Sequence, residues 1–69
     1  MTLDYHAIGK RIRYHRRMLD ITQKQLADMT KISVSYIGHI ERGTRIMSVE
    51  TLCALADALH LTTDYILGR

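Results

Sequence analysis

A chain of 69 residues has room for one compact domain and not for two, so residues 1–69 are read as a single domain. Apolar residues make up 46% and charged residues 25%, a globular balance that argues against disorder; the lone Cys53 excludes a disulfide scaffold. Net charge is +3, but residues 1–45 hold nine basic against four acidic residues and residues 46–69 one against three, which suits one face to a polyanion or leaves an unevenly charged solvated surface. No apolar run nears the roughly 20 residues of a membrane span and no secretory signal pattern opens the chain, so a reduced, cytoplasmic domain is expected.

The residue pattern predicts five short helices and no strand, because no segment alternates with period two. The first runs from about Asp4 to Leu19, with Ile8, Ile12 and Leu19 inward. Thr22 and Gln25 form a T-x-x-Q capping box that opens a second helix, Gln23 to about Met29, burying Leu26 and Ala27. Ser33 caps a third from Val34 to about Arg42, with Ile37 and Ile40 inward and Gly43 as its left-handed stop. Ser48 caps a fourth, Val49 to about Leu59, whose Val49, Leu52, Leu55, Ala56 and Leu59 share one face. Thr62 caps a last turn, Thr63 to Leu67, ended by Gly68. Short helices with short connections mean a compact all-α bundle of five helices. The second and third are joined by four residues, Thr30 to Ser33, which is helix-turn-helix spacing.

Enzyme chemistry finds no foothold. His6, His15, His39, His60 and Cys53 form no C-x-x-C or H-x-x-x-H pattern, and neither a Gly-rich phosphate loop nor a nucleophile elbow occurs. No metal, cofactor or catalytic residue is expected. A bundle this small leaves little room for a ligand pocket of a few hundred Å³, so no small-molecule effector site is expected either.

Several blocks carry a resemblance. They are Ile21-Thr-Gln-Lys-Gln-Leu-Ala27, Ile32-Ser-Val-Ser-Tyr-Ile37, Ile40-Glu-Arg-Gly43, Ser48-Val-Glu-Thr-Leu52, Leu55-Ala-Asp-Ala-Leu59 and Asp64-Tyr-Ile-Leu67. In order and spacing these resemble the phage repressor and Cro type of helix-turn-helix family over about residues 8–67. The resemblance implies a lambda-repressor-like five-helix domain that binds double-stranded operator DNA, usually palindromic, as a two-fold homodimer and most often represses transcription. The chain departs from the family's frequent glycines at the ends of the first two helices, where it has Asp20 and Lys31, and has Met47 where the family often has Pro before the fourth helix.

The resemblance also assigns roles. Gln23 is expected to bind a backbone phosphate at the start of the second helix and to brace the third, though it also simply follows the Thr22 cap. Helix 34–42 is the expected reader of the major groove, with Ser33, Val34, Ser35, Tyr36 and His39 on its outer side or at its start. Val34 suits a thymine methyl, Ser35 a donor or an acceptor, and His39 a guanine edge or a phosphate. Tyr36 either meets the sugar-phosphate backbone or covers the corner between the second and third helices, and Gly38 either admits close approach to DNA or is tolerated drift. Arg42, Thr44 and Arg45 are expected along phosphates, which fixes register without reading sequence. One or two of Lys10, Arg11, Arg13 and Arg17 are expected near DNA. Arg16 and Glu41 are expected to pair, and Tyr65, Ile66 and Leu67 to supply a small dimer seam or core. Rival readings are an antitoxin or other protein-docking module of this fold, and a binder of structured RNA; the polar outer face of helix 34–42 favours the DNA reading over a docking module.

Overall fold

The computed structural model describes residues 2–69, which form five helices: α1 (Tyr5–Met18), α2 (Gln23–Thr30), α3 (Val34–Arg42), α4 (Val49–Leu59) and α5 (Thr63–Leu67). Each begins where a short polar side chain takes up free backbone amides. Asp4 accepts from His6 and Ala7, Ser33 from Tyr36, Ser48 from Thr51 and Thr62 from Tyr65, each at 3.0–3.1 Å. Thr22 and Gln25 complete the capping box in both directions, at 3.0 and 2.8 Å. All five expected helices are present. The first is trimmed by one residue at each end, with Asp4 as its cap. The second gains Thr30, whose hydroxyl bonds back to the Leu26 carbonyl at 2.7 Å, so the turn proper is residues 31–33.

The helix ends are less uniform than the starts. Gly43 and Gly68 close α3 and α5 in the left-handed region, at φ +73° and +81°. Asp20, Lys31 and His60 hold the same conformation without being glycine, at φ near +60°. The first two stand where the family that the sequence resembles often has glycine; His60 carried no warning in the sequence.

The core is aliphatic. Ile8, Ile12, Leu26, Ile37, Ile40, Leu55 and Ile66 are fully buried, with Ala27, Leu52, Ala56 and Leu59 beside them. Two residues expected inward are not. Leu19 lies past the last turn of α1 and is 44% exposed; the inward position one turn on from Ile12 is Arg16, and Ile21 packs against the core after the turn. Val49 opens α4 beyond the edge of the core and is 74% exposed. Among the described residues no helix is long and apolar enough to cross a membrane.

Helices α1 and α3 meet almost backbone to backbone. A Cβ placed on Gly9 would lie 2.4 Å from the Ile40 carbonyl oxygen and 2.5 Å from that of Glu41. Only glycine allows this approach. It holds α3 close against the scaffold along its inner side while its outer side stays uncovered.

Candidate nucleic-acid interface

The inner side of α3 carries a buried charge. Arg16 on α1 donates to the Glu41 carboxylate in a two-pronged pair, Nε to Oε2 at 2.7 Å and Nη2 to Oε1 at 3.1 Å, with side chains 9% and 2% exposed. A third Arg16 bond, Nη1 to the Ile21 carbonyl at 2.9 Å, binds the turn before α2. The Gln23 amide also donates to Glu41 Oε1, at 3.1 Å. Two side chains, Arg16 from α1 and Gln23 from α2, thus converge on one carboxylate at the end of α3, and no buried polar side-chain atom there lacks a partner. The expected Arg16–Glu41 pair is present, and Gln23 is seen bracing α3.

The outer side begins with Ser33, Val34 and Ser35, all exposed. Beyond them the chain bonds to itself. Tyr36 is half-buried and its hydroxyl donates to the Ile46 carbonyl at 2.9 Å, tying α3 to the loop before α4; the ring does structural duty there. His39 and Thr44 meet through Nδ1 and Oγ1 at 2.8 Å. Arg42 and Arg45 are exposed, at the end of α3 and in the loop after it. Gly38 is buried, and the Arg42 guanidinium lies over it, so it does not present bare backbone to solvent.

A cleft of about 660 Å³ opens between the end of α1, the start of α2 and the start of α3, lined by Arg16, Arg17, Asp20, Ile21, Thr22, Gln23, Lys24 and Val34. The expectation concerned a pocket for a small molecule, and this concavity is of another kind. The cleft is an open groove rather than an enclosed pocket, because short helices crossing at their ends leave a notch that no sixth element fills. Arg17 and Lys24 flank it, beside the amide-rich end of α2. Sequence reasoning leaves Arg17 among the mostly solvated cations of α1 and does not single out Lys24. Their position beside a capping box is the signal that could have found them.

At the other end of the molecule Arg11, expected at the surface, donates through Nη1 to the Ile66 carbonyl at 2.8 Å and so holds the last turn. His15 Nε2 and the Tyr65 hydroxyl meet at 2.8 Å with their rings edge to face. Of the three residues expected at a dimer seam, Ile66 is fully buried in its own chain's core and offers no surface. It lies on the side of α5 that packs against α1 and α4. Leu67 is half-buried against the same core, leaving Tyr65 the most exposed of the three, at 46%. Among the described residues no three His, Cys, Asp or Glu side chains converge on a metal site.

Comparison with known proteins agrees with this architecture. The helix-turn-helix family model matches residues 12–66. The chain is 41% identical over 56 residues to the uncharacterized HTH-type transcriptional regulator YazB of Bacillus subtilis, covering 81% of each. It is 39% identical over 62 residues to the immunity repressor of Bacillus phage phi105, covering 90% of this chain and 43% of that protein. Among solved structures, the restriction-modification controller protein C.AhdI from Aeromonas hydrophila superposes with a TM-score of 0.87 at 32% identity, over 91% of this chain and 96% of that one. The P22 c2 repressor in complex with a synthetic operator gives 0.84 at 36% identity, over 97% and 96%. A shared fold, the helix 2–turn–helix 3 unit and this level of identity over nearly the whole chain place the protein in the helix-turn-helix family, of the phage repressor and Cro type.

Proposed function

We propose that this chain is a double-stranded DNA-binding transcriptional regulator that acts as a repressor, reading the major groove with α3 as a two-fold homodimer. The observation that carries this reading is the asymmetry of α3. Its inner side is locked to the scaffold by Arg16, Gln23 and the close approach at Gly9, while Ser33, Val34 and Ser35 stand uncovered at its start. A helix held rigidly with short polar and apolar tips outward is what base-edge reading requires. The cations divide between two places on the same unit, Arg17 and Lys24 beside the α2 cleft and Arg42 and Arg45 after α3. Phosphates seated at both places would fix the register of the reader between them. That the P22 c2 relative is seen on a synthetic operator supports the same geometry here.

The dimer follows from the reading of a palindrome, with half-site centres about 34 Å apart. Its seam is small, Tyr65 and the exposed part of Leu67, so self-association is weak in solution and strengthened by DNA. Selection from random duplex DNA, followed by gel shift against excess tRNA, tests the reading. A recovered palindromic consensus bound by two protomers is the expected result. Equal competition by tRNA, or saturation at one protomer per palindrome, would overturn it.

A further inference from the structure

We propose that Thr44 fixes the tautomer of His39, so that the neutral imidazole presents a lone pair rather than a proton to the DNA. The proposal rests on the reading of α3 as the groove-facing helix and names what one of its residues can recognise.

The Thr44 hydroxyl has two neighbours on residue 39. Its Oγ1 lies 2.8 Å from the ring Nδ1 and 3.2 Å from the backbone carbonyl oxygen. The Thr44 amide donates to that same carbonyl at 3.0 Å, which pins the hydroxyl in place at the end of α3. A hydroxyl has one proton to give, and a carbonyl can only accept. If Thr44 donates to the carbonyl, Nδ1 must carry the ring proton and donate to Oγ1, and both approaches are hydrogen bonds. If Thr44 instead donates to the ring, its remaining lone pairs face the carbonyl oxygen at 3.2 Å, and that approach becomes repulsive. The carbonyl already accepts from the Gly43 and Thr44 amides, so what favours the first arrangement is that it alone makes both approaches of the hydroxyl attractive. The hydrogen bond at one imidazole nitrogen decides the state of the other, so Nε2, which has no partner among the described residues, is left as an acceptor.

An acceptor at this point of α3 has a defined preference. In the major groove, cytosine offers the N4 amino group and adenine the N6 amino group, whereas guanine offers only the acceptors N7 and O6. The neutral ring therefore favours adenine or cytosine and rejects guanine, the reverse of what a histidine donating from Nε2 would choose. Thr44 acts here as a positioning residue. It sets specificity through His39 without needing to touch a base.

The test has two arms. Long-range proton–nitrogen NMR of the free protein at pH 8, above the ordinary imidazole range, reads the protonated ring nitrogen directly. The expected result is Nδ1–H in the unmodified protein and in Thr44→Ser, and loss of that preference in Thr44→Val. Nε2–H in the unmodified protein would overturn the proposal, with no DNA present. In the second arm, His39→Ala locates the base pair that residue 39 reads on the selected site. All four pairs are then compared there at pH 8. Unmodified protein and Thr44→Ser should disfavour guanine by about tenfold, and Thr44→Val should lose most of that difference, read as the ratio between base pairs so that any affinity lost on all duplexes alike cancels. An unchanged base preference in Thr44→Val would also overturn the proposal. Failure of the unmodified protein to bind any duplex would strike the DNA-binding reading instead, and the nitrogen spectra would still decide the tautomer.

Discussion

Arg16 and Glu41, 25 residues apart, share two hydrogen bonds in a site almost closed to water, and this pair joins α1 to the end of α3. Removing either partner strands a charge that burial makes costly. Arg16→Met and Glu41→Gln are each expected to destabilise the fold by about 3–5 kcal/mol. The double change is expected to cost clearly less than the sum, because neither partner is then left alone. Chemical denaturation of the four proteins measures the coupling; additive losses would mean the two side chains act independently.

The glycines of α1 and α3 are expected to respond in opposite directions. Gly9→Ala drives a methyl into the Ile40 and Glu41 carbonyls, which cannot yield without parting the helices. A loss of roughly 3 kcal/mol or more is expected, beyond any gain in helix propensity. At Gly38 the added Cβ meets only the Arg42 guanidinium, with Nη1 nearest at 3.0 Å, on an exposed and flexible side chain. Gly38→Ala should therefore raise stability by about 0.5–1 kcal/mol. Thermal melts of both variants decide the matter, and a stable Gly9→Ala protein would contradict the packing described for α1 and α3.

Lys31 ends α2 at φ +60°, a conformation that disfavours any residue with a Cβ. Lys31→Gly is expected to stabilise the fold by roughly 0.5–1 kcal/mol. Lys24→Gly, in the first turn of the same helix and equally exposed to solvent, should instead lose up to about 1 kcal/mol. Opposite shifts in denaturation midpoint are the expected outcome; losses at both positions would show that Lys31 is not strained.

Residues that hold DNA and residues that read it should separate by salt. Arg42→Ala and Arg45→Ala are expected to weaken specific and random duplexes alike. For every phosphate that a variant no longer neutralises, the slope of log K against log salt becomes shallower by about 0.9, because one fewer counterion is released. Changes at Val34 or Ser35 should leave that slope alone, cost about 1–3 kcal/mol on the selected site and relax preference at one or two base pairs. If Val34 and Ser35 variants keep the full specificity ratio while Arg42→Ala abolishes it, α3 is not the reader.

How far the sequence reaches depends on the range of the interaction. Four helix starts were legible from their caps, because Thr22, Ser33, Ser48 and Thr62 act within three residues of themselves, and the first was placed within one residue without Asp4 being read as its cap. Stops were legible where glycine marks them, and at Asp20 and Lys31 through the family resemblance, but not at His60, whose side chain carries no sign of a left-handed backbone. The Arg16–Glu41 pair was reached through the resemblance alone. Hydrogen bonds such as Arg11 to the Ile66 carbonyl, 55 residues away, and His15 with Tyr65, 50 away, leave no local pattern. At the candidate site the exposed tips of α3 were foreseen, whereas the bonds that occupy Tyr36, His39 and Thr44 depend on where the loop after α3 turns back.

If α3 reads DNA as proposed, the close approach at Gly9 also bears on which molecule bends. Where Gly9 meets the Ile40 and Glu41 carbonyls, backbone rests on backbone and no side chain lies between α1 and α3 to absorb a misfit. When the spacing or groove width of a site departs from the best one, the protein presents the same outline, and the cost of adjustment falls on the duplex. Flexible pyrimidine–purine steps absorb that cost more readily than stiff A-tracts. On the proposed two-fold reading, sequence between and beside the half-sites would then enter the affinity through the elasticity of the DNA.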